Sequence, residues 1–480
     1  MITSDFVTRH DLWSTAQHNA STEAIRRCDE ADVRVVRLSF VDQHGVLRGK
    51  SITVGGLSDA LRNGYRMTTT LLVKDTSHRT VYPVWQDGGG FDSAEMTGGG
   101  DFVMVPDPET FTILPWASSC GWLLCDIYFP NGTPVPYSTR AVCQRSLQRL
   151  ATHGLEYVSG LEIEFHIFRV DAAHLQPHDA TQPGTPPTFS LLTQGYQYLT
   201  ESRLDELEPV YENLRVQLEA IGLPLRSMEV EFGPSQCEFT LQPQVGLATG
   251  DSAVLFRSAI KQICARAGLH ATFMCRPQGQ NLFASGWHLH QSLRGADGRN
   301  AFVPADESVL LSSLGEQFVA GILRHAAGAC VMTTPTINGY KRYQPFTLAP
   351  DRIVAGADNR GAMLRITGSR EDDSTRIENR IGDPAANPYL YIASQIESGL
   401  AGIEHGYTSA VLASTPYATE AAMLPRTLAD ALSELRDDEE LRKRFGAGFI
   451  DYLLTLKQAE VDRFAAAVTD WEQREYFSLF

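Results

Sequence analysis

The sequence predicts an α+β protein with two domains, and three observations favour this fold class. The chain has 480 residues, which is more than one hydrophobic core usually serves. Hydrophobic residues make up 43% and charged residues 20% of it, as in ordinary globular proteins. Segments with the two-residue period of strands alternate with segments of helical period along its length. We expect a small N-terminal domain over residues 1–130 and a larger domain over residues 131–480.

The first 130 residues predict a mostly antiparallel sheet with flanking helices. The expected elements are helices over 12–31 and 56–64, a hairpin of strands over 33–42 and 46–54, and strands over 102–108 and 121–129. Glycine triplets at 88–90 and 98–100 bracket a stretch whose composition predicts a surface loop that is too flexible to pack well.

The remaining residues alternate strands with longer helices. The expected helices cover 139–154, 200–221, 247–267, 308–330, 388–404, 427–436, 438–446 and 448–478, and strands are expected at 160–168 and 270–275. Residues 171–188 are rich in proline, glycine and histidine, which predicts an inserted loop.

Charge and composition exclude several classes of protein. The net charge of 41 − 57 = −16 disfavours binding to nucleic acid or to an anionic membrane. No apolar run approaches the roughly 20 residues that span a bilayer, and residues 1–5 lack the pattern of a signal peptide. Eight cysteines occur without a Cys-x-x-Cys pair, which fits reduced thiols. We therefore expect a cytoplasmic protein.

The first chemical signal is the acidic strand over 160–168. Apolar residues alternate there with Glu162 and Glu164, so both carboxylates project from the same face. Two like charges this close repel each other unless a cation or a proton neutralises one of them. A solvated strand face is the alternative interpretation, because exposed acidic residues are common.

Three further clusters share this pattern of charged or imidazole groups on strands. They are Glu231 with Glu238 across a Gly-Pro turn, His288 with His290, and Glu378 between Arg376 and Arg380. A His-x-His pair alone is usually not a ligand pair, and the third cluster alone fits a surface ion network.

Together the four clusters favour phosphoryl transfer. Carboxylate oxygens with one or two imidazoles suit Mg²⁺ or Mn²⁺, and arginines suit phosphate and carboxylate oxygens. Metals and guanidiniums together stabilise charge on a migrating phosphoryl group. The sequence contains no Gly-x-x-x-x-Gly-Lys-Ser/Thr motif, so a P-loop enzyme is excluded.

At this point the chain resembles the glutamine synthetase superfamily over nearly its whole length. Besides the acidic strands, the matching segments are residues 274–277, 285–290, 338–342, 358–360 and 376–390. The resemblance implies a β-grasp-like N-terminal domain and a larger catalytic domain, whose curved antiparallel sheet is lined by metal ligands. It also implies a homo-oligomer, a dodecamer of two stacked hexameric rings, with active sites shared between neighbouring subunits.

The resemblance also implies roles for individual residues, with two or three Mg²⁺ or Mn²⁺ ions in each site and ATP as a co-substrate. Glu164, Glu231 and Glu238 match ligands of one metal, and Glu162, His288 and Glu378 match ligands of the metal on the nucleotide. Arg342, Arg380 and Gly286 match groups that bind glutamate, and Arg360 matches an arginine beside the transferring phosphoryl group. His290, Ser292, Arg365 and Arg376 are expected to face ATP.

Two departures from the family pattern concern the nitrogen nucleophile. Leu348 occupies the place of a flap glutamate that closes the ammonium site, and the N-terminal Asp-Gly-Ser-Ser signature is replaced by residues 67–71. Without these carboxylates a desolvated NH₄⁺ lacks a counter-charge, at a cost of several kcal/mol. An apolar side chain would instead favour a hydrocarbon group, by roughly 0.8 kcal/mol for each buried CH₂. Ordinary packing is the alternative role for Leu348.

A third departure concerns the loop of the family that helps to seat glutamate. Its asparagine and first glycine are replaced here by Phe283 and Ala284, so the acyl substrate is less firmly implied than the metals. We expect an ATP-dependent ligase that joins the γ-carboxylate of glutamate to a small hydrophobic alkyl- or arylamine through a γ-glutamyl phosphate. The alternatives are a true glutamine synthetase that uses ammonia, and a catalytically silent family member.

Overall fold

The computed structural model describes residues 5–171, 175–279, 281–306, 308–408 and 412–480. The helices are α1 (Phe6–Arg9), α2 (Thr15–Glu30), α3 (Leu57–Asn63), α4 (Thr139–Thr152), α5 (Glu201–Ala220), α6 (Ala248–Arg266), α7 (Ser313–Arg324), α8 (Ala326–Thr333), α9 (Pro388–His405), α10 (Leu428–Asp437), α11 (Glu439–Phe445), α12 (Ala447–Ala465) and α13 (Asp470–Tyr476). The strands are β1 (Val35–Val41), β2 (Leu47–Thr53), β3 (Tyr65–Thr68), β4 (Asp101–Pro106), β5 (Thr112–Ile113), β6 (Cys120–Tyr128), β7 (Leu155–Val170), β8 (Phe189–Leu191), β9 (Leu225–Val230), β10 (Gln236–Val245), β11 (Leu269–Thr272), β12 (Trp287–Gly295), β13 (Ala355–Ala357), β14 (Leu364–Thr367) and β15 (Arg376–Gly382). The predicted α+β class is confirmed.

The N-terminal sheet has the strand order β2-β1-β6-β4-β3, and β5 pairs with β6. All of these pairs are antiparallel except β1 with β6. This agrees with the prediction of a mostly antiparallel sheet. The turn between β1 and β2 carries Gly45 at φ +74°, a conformation that favours glycine. Apolar residues of α2 and α3 pack on this sheet and form its core.

The larger sheet is curved and has nine strands, with the main order β13-β14-β15-β12-β7-β10-β9. Strands β8 and β11 also pair with β7. Pairing is antiparallel except between β13 and β14. Helices α4, α6 and α9 supply much of the buried apolar surface, so one face of the sheet is covered and the other is left for polar side chains.

A buried ion network joins the two sheets. Arg140, on α4, pairs with Asp107 and Asp126 from the N-terminal sheet region and with Asp251 on α6, at 2.8 to 3.0 Å. The hydroxyl of Tyr389 donates to Asp251 at 2.5 Å. Three carboxylates around one buried guanidinium fix the position of the larger sheet relative to the smaller one.

Two expectations about the elements were wrong. The stretch between the glycine triplets packs well, because Met96 is fully buried and the ring of Phe91 stacks on Tyr82 at 4.1 Å. The helix expected over 448–478 is interrupted after α12, where Thr469 forms a capping box with Glu472 and begins α13.

Other boundaries moved for similar reasons. The helix expected over 308–330 begins only at α7, where the Ser312 hydroxyl accepts a hydrogen bond from the amide of Gly315, and a break at His325 separates α7 from α8. Residues 172–174 of the expected inserted loop and residues 1–4 lie outside the described residues. All eight cysteines are buried and unpaired. Among the described helices, none has both the length and the hydropathy to span a bilayer.

Candidate active site

Cross-strand register brings seven of the predicted site residues, together with Glu229, into three rows on the larger sheet. Strand β7, which carries the first acidic pair, lies between β12 and β10. Read from β14 towards β9, the rows are Arg365–Glu378–His290, His288–Glu162 and Glu164–Glu238–Glu229. Since directly opposed residues have Cβ atoms about 5 Å apart, each row places charged side chains in contact.

Donor atoms from several strands meet around Glu162. Its Oε1 lies 2.5 Å from Nδ1 of His288, and its Oε2 lies 2.9 Å from Nε2 of His290. Two groups of three residues have ligand atoms that all lie within 4.8 Å of one another: Glu162 with Glu238 and His288, and Glu162 with His290 and Glu378. The sheet therefore presents two overlapping sets of metal donors that share one carboxylate.

Two of the predicted ligands lie beside these groups. Oε1 of Glu164 is 3.7 Å from Nε2 of His288, and Glu231 follows directly after β9, where its Oε2 accepts a hydrogen bond from the amide of Phe232 at 3.1 Å. His290, for which the resemblance implied contact with ATP, joins a donor group. The assignment of each ligand to one or the other metal stays a prediction.

The crowding of these acids changes their pKa values. Burial and the charge of Glu164 raise the pKa of Glu231 to about 8, and burial with the charges of Glu162 and Glu164 raises the pKa of Glu238 to about 12. Burial also acts to raise the pKa of Glu162, but the adjacent His288 holds it well below its usual range. Some acids of the cluster thus remain protonated near neutral pH unless a positive charge compensates them.

This donor set fits divalent cations that prefer oxygen ligands. Carboxylates with one or two imidazoles suit Mg²⁺ or Mn²⁺, and thiolates are absent from both donor groups found among the described residues. A cation would supply the charge that Glu231 and Glu238 otherwise obtain from protons. The site therefore has the chemistry of a divalent-metal centre.

Two buried arginines border the acids. Nη2 of Arg342 lies 3.3 Å from Nε2 of His288, and its Nη1 donates to the carbonyl of Arg380 at 2.8 Å. Arg380 forms an ion pair with Glu378. Both guanidiniums are 5% to 6% exposed, so they carry positive charge in a place where little water screens it. Such groups bind carboxylates strongly through paired hydrogen bonds.

Glu164 is held by Gly286, a predicted site residue, and by Gln236, which the sequence did not predict. Its Oε2 accepts hydrogen bonds from the amide of Gly286 at 2.9 Å and from Nε2 of Gln236 at 3.2 Å. Nε2 of Gln236 also lies 3.0 Å from Oγ of Ser285, which is 3.3 Å from Nδ1 of His166. The signal was present, because Gln236 lies two residues before a predicted ligand and shares its strand face.

The four residues expected to face ATP lie on β12, β14 and β15. Nη1 of Arg365 is 2.8 Å from Oε2 of Glu378, and Nε of Arg376 donates to Nδ1 of His290 at 3.1 Å. Ser292 lies two residues beyond His290 on the same strand. These side chains are therefore grouped at one end of the donor cluster, and their contact with ATP stays a prediction.

Leu348 and Arg360 lie on loops that Arg380 holds together. Nη2 of Arg380 donates to the carbonyl of Leu348 at 3.4 Å, and its Nε donates to the carbonyl of Arg360 at 3.0 Å. The Leu348 side chain is 67% exposed, and its backbone is in the left-handed region at φ +57°. Arg342, Arg380 and the two loops that Arg380 binds are called the arginine pocket, and the exposed side chain of Leu348 lies at its rim. The role of Leu348 towards the amine stays a prediction.

Comparison with known proteins agrees with this geometry. Residues 136–476 match the glutamine synthetase catalytic domain. The chain is 41% identical to a gamma-glutamylanilide synthase of Acinetobacter sp, over 99% of both chains. It is 33% identical to a gamma-glutamylethanolamide synthetase of Streptomyces coelicolor, over 93% of both chains. The resemblance found in the sequence is therefore confirmed.

A solved structure described as a GmaS/ADP complex has the same fold. It superposes with a TM-score of 0.79 at 28% sequence identity, and the match covers 95% of this chain and 99% of the other. The protein belongs to the glutamine synthetase family.

Proposed function

We propose that the protein is an ATP-dependent, ADP-forming ligase that joins the γ-carboxylate of glutamate to a primary amine with a hydrophobic alkyl or aryl group. The observation that carries this proposal is the cluster of acids and imidazoles around Glu162, next to the buried Arg342 and Arg380. Two relatives named as a gamma-glutamylanilide synthase and a gamma-glutamylethanolamide synthetase support an amine as the acceptor.

The acidic cluster holds the metals in this proposal. The residues that would hold two or three Mg²⁺ or Mn²⁺ ions are Glu162, Glu164, Glu231, Glu238, His288 and Glu378. When bound, such ions supply positive charge to the transferring phosphoryl group. Gln236 and Gly286 keep Glu164 in place through the hydrogen bonds to its Oε2.

The arginines and the remaining polar groups bind the two substrates. Arg342 and Arg380 bind the carboxylates of glutamate, and Arg360 lies beside the phosphoryl group during its transfer. His290, Ser292, Arg365 and Arg376 face ATP. A structural relative described as an ADP complex supports the binding of a nucleotide.

The reaction proceeds through an activated acyl group, because a carboxylate is a poor electrophile at neutral pH. The γ-carboxylate oxygen attacks the γ-phosphorus of ATP, the bond to ADP breaks, and γ-glutamyl phosphate forms. The nitrogen lone pair of the amine then attacks the acyl carbon. The bond between the acyl carbon and the phosphate oxygen breaks, phosphate leaves, and the nitrogen gives one proton to water. Leu348, at the rim of the arginine pocket, favours an amine with a hydrocarbon group over ammonium.

Synthesis of glutamine from ammonia is the second candidate, because the matching catalytic domain is that of glutamine synthetase. A catalytically silent protein is disfavoured, since the crowded acids of the site carry raised pKa values that a protein without metals has no need to maintain.

We further propose the organisation of the whole protein. An N-terminal domain over residues 1–130 precedes a catalytic domain over residues 131–480, and the protein is cytoplasmic. Two stacked hexameric rings form a dodecamer in this proposal, and native mass spectrometry measures the subunit number directly.

An acceptor panel tests the proposed activity. Purified protein with ATP, Mg²⁺ and glutamate is given ammonia, ethylamine or aniline, and phosphate release and amide formation are measured. We expect phosphate and γ-glutamyl amide with the amines. Turnover with ammonia alone would support glutamine synthesis, and no turnover with any acceptor would support a silent protein. Omission of glutamate, or its replacement by another acid, tests the acyl substrate.

A further inference from the structure

We infer that an exposed cluster of aromatic side chains beside Glu231 binds the hydrocarbon group of the amine and selects aromatic amines. This aromatic wall consists of Tyr196, Phe232 and Phe283. We build the inference on the proposed function, to which it adds the class of acceptor and the surface that binds it.

The three rings of the aromatic wall contact one another edge to face. The ring centroids of Phe232 and Phe283 are 4.9 Å apart, with an interplanar angle of 74°. The ring of Tyr196 lies 5.9 Å from the first and 5.8 Å from the second. Rings this close leave no gap for an ammonium group between them, so they form a continuous apolar surface and not a cage around a cation.

The side chains of the wall are accessible to ligands. The three side chains are between 39% and 43% exposed. A contiguous apolar patch next to a polar site is characteristic of ligand binding, whereas apolar residues that are exposed singly have no such meaning. The patch therefore offers a binding surface that none of the metal or arginine groups uses.

Close backbone contacts build the wall from three separate segments. The amide of Tyr196 donates to the carbonyl of Phe232 at 2.8 Å, and its hydroxyl donates to the carbonyl of Asn281 at 2.9 Å. A Cβ at Gly233 would lie 3.1 Å from Cβ of Phe283, so glycine lets these two segments touch. Tyr196 is held at φ +63°, a conformation that bulky residues rarely adopt. The wall is thus a fixed part of the fold.

The wall is continuous with the acidic cluster. Phe232 follows Glu231, and its amide donates to the Glu231 carboxylate at 3.1 Å. Phe283 lies three residues before Gly286, whose amide binds Glu164. Phe283 also replaces the asparagine of the family loop, so an aromatic ring stands where the resemblance implies a polar group. An acceptor whose ring lies on the wall would place its nitrogen towards the acids.

The chemistry of this surface favours an arylamine over a small alkylamine. A flat ring gains offset or edge-to-face contacts with Phe232 and Phe283 that an ethyl group lacks. The nitrogen of an arylamine is neutral at pH 7, so it attacks without first losing a proton to a flap glutamate, whose position Leu348 occupies. The wall and the apolar flap residue therefore suit the same class of acceptor.

Competition between aniline and ethylamine tests the wall. We compare the wild-type protein with Phe232→Ala, Phe283→Ala and Phe283→Leu, and use Phe464→Ala as the control, because Phe464 is a similarly exposed aromatic on α12. The ratio of kcat/KM for aniline to that for ethylamine is expected to fall on the order of 10-fold or more in the three wall variants. It should not change in the control, and the circular dichroism spectrum reports that each variant is folded.

Binding without turnover provides the second measurement. Saturation-transfer NMR with aniline should show contact with the wild-type protein and a weaker signal with Phe232→Ala and Phe283→Ala. An unchanged substrate ratio together with unchanged transfer would overturn the inference and leave the ligase proposal intact. A loss of subunit assembly in the wall variants would overturn it too, since the patch would then be a subunit interface. If the wild-type protein forms no amide, the ligase proposal fails, and the NMR result still decides whether the wall binds aryl groups.

Discussion

Single residues at the site are governed by the balance between packed acids and the charges that compensate them. Glu238 is 5% exposed and directly opposes Glu164 across two strands, so its carboxylate meets another carboxylate with little water between. Burial and this repulsion raise its pKa to about 12. A buried acid that destabilises the metal-free protein in this way is expected to be a direct ligand of the metal.

Replacement of Glu238 tests that expectation. Glu238→Ala should abolish ligase activity and weaken Mn²⁺ binding by at least about 100-fold in calorimetry, because a donor is lost from the cluster. Glu229→Gln is the matched control, since Glu229 is the β9 neighbour of Glu238 but belongs to neither donor group. Full activity of the alanine variant would show that the metal assignment is wrong.

Leu348 is the residue for which a change of acceptor is expected. A glutamate there would place a carboxylate at the rim of the arginine pocket and supply the counter-charge that ammonium needs. Leu348→Glu should raise ammonia use relative to aniline by about 10-fold, equivalent to ~1.4 kcal/mol, as measured by competing kcat/KM values. Phe346→Glu places the same charge two residues away, on a side chain that is 83% exposed. If both variants behave alike, Leu348 has no specific role.

Among the elements, the start of β12 shows how the backbone positions a substrate-binding arginine. A Cβ at Gly286 would lie 2.4 Å from Nη2 of Arg342, so the guanidinium takes its place only because this residue is glycine. The amide of the same glycine binds Glu164. Gly286, which directly precedes β12, therefore positions both a predicted metal ligand and an arginine.

Gly286→Ala tests the role of this close approach. The added methyl group should displace Arg342 and raise the KM for glutamate about 10-fold or more, with a smaller effect on the KM for ATP. Gly448→Ala, near the start of α12, is the control because a Cβ there meets no atom within 4 Å. An unchanged glutamate KM would place the substrate carboxylates elsewhere.

Sequence patterns predicted the strands of the site better than their surroundings. The alternation of apolar and charged residues identified β7 and placed Glu162 and Glu164 on one face, because a two-residue period is typical of a β-strand. The packing of Met96 between two glycine triplets was missed, since composition does not reveal which tertiary contacts compensate for flexibility. The contact of Gln236 with Glu164 joins strands that are 72 residues apart in the chain, so it required the register of the sheet.

For the whole molecule, metal binding and folding are linked through the same acids. Burial and repulsion raise the folded-state pKa of Glu231 to about 8, above its value in the unfolded chain. A carboxyl with a raised folded-state pKa stabilises the protein below the unfolded pKa, and this stabilisation is lost as the pH rises through about 8. A cation that replaces the proton should therefore stabilise the folded protein more at high pH than at low pH.

Thermal unfolding with and without metal measures this linkage. The increase in Tm on adding Mn²⁺ to chelator-treated protein should grow from pH 5 to pH 8. Buried histidines such as His166, whose pKa burial lowers to about 3, change stability in the opposite direction, but they are present in both samples and cancel in the difference. A metal effect that is the same at both pH values would contradict the proposed role of Glu231 and Glu238.

In the proposed function, this metal site activates glutamate for attack by a hydrophobic amine in preference to ammonia. Equal concentrations of ammonia and aniline in one reaction with ATP, Mg²⁺ and glutamate give two products, whose ratio in mass spectrometry is the ratio of the two kcat/KM values. We expect the amount of γ-glutamylanilide to exceed that of glutamine. Glutamine as the dominant product would contradict this proposal.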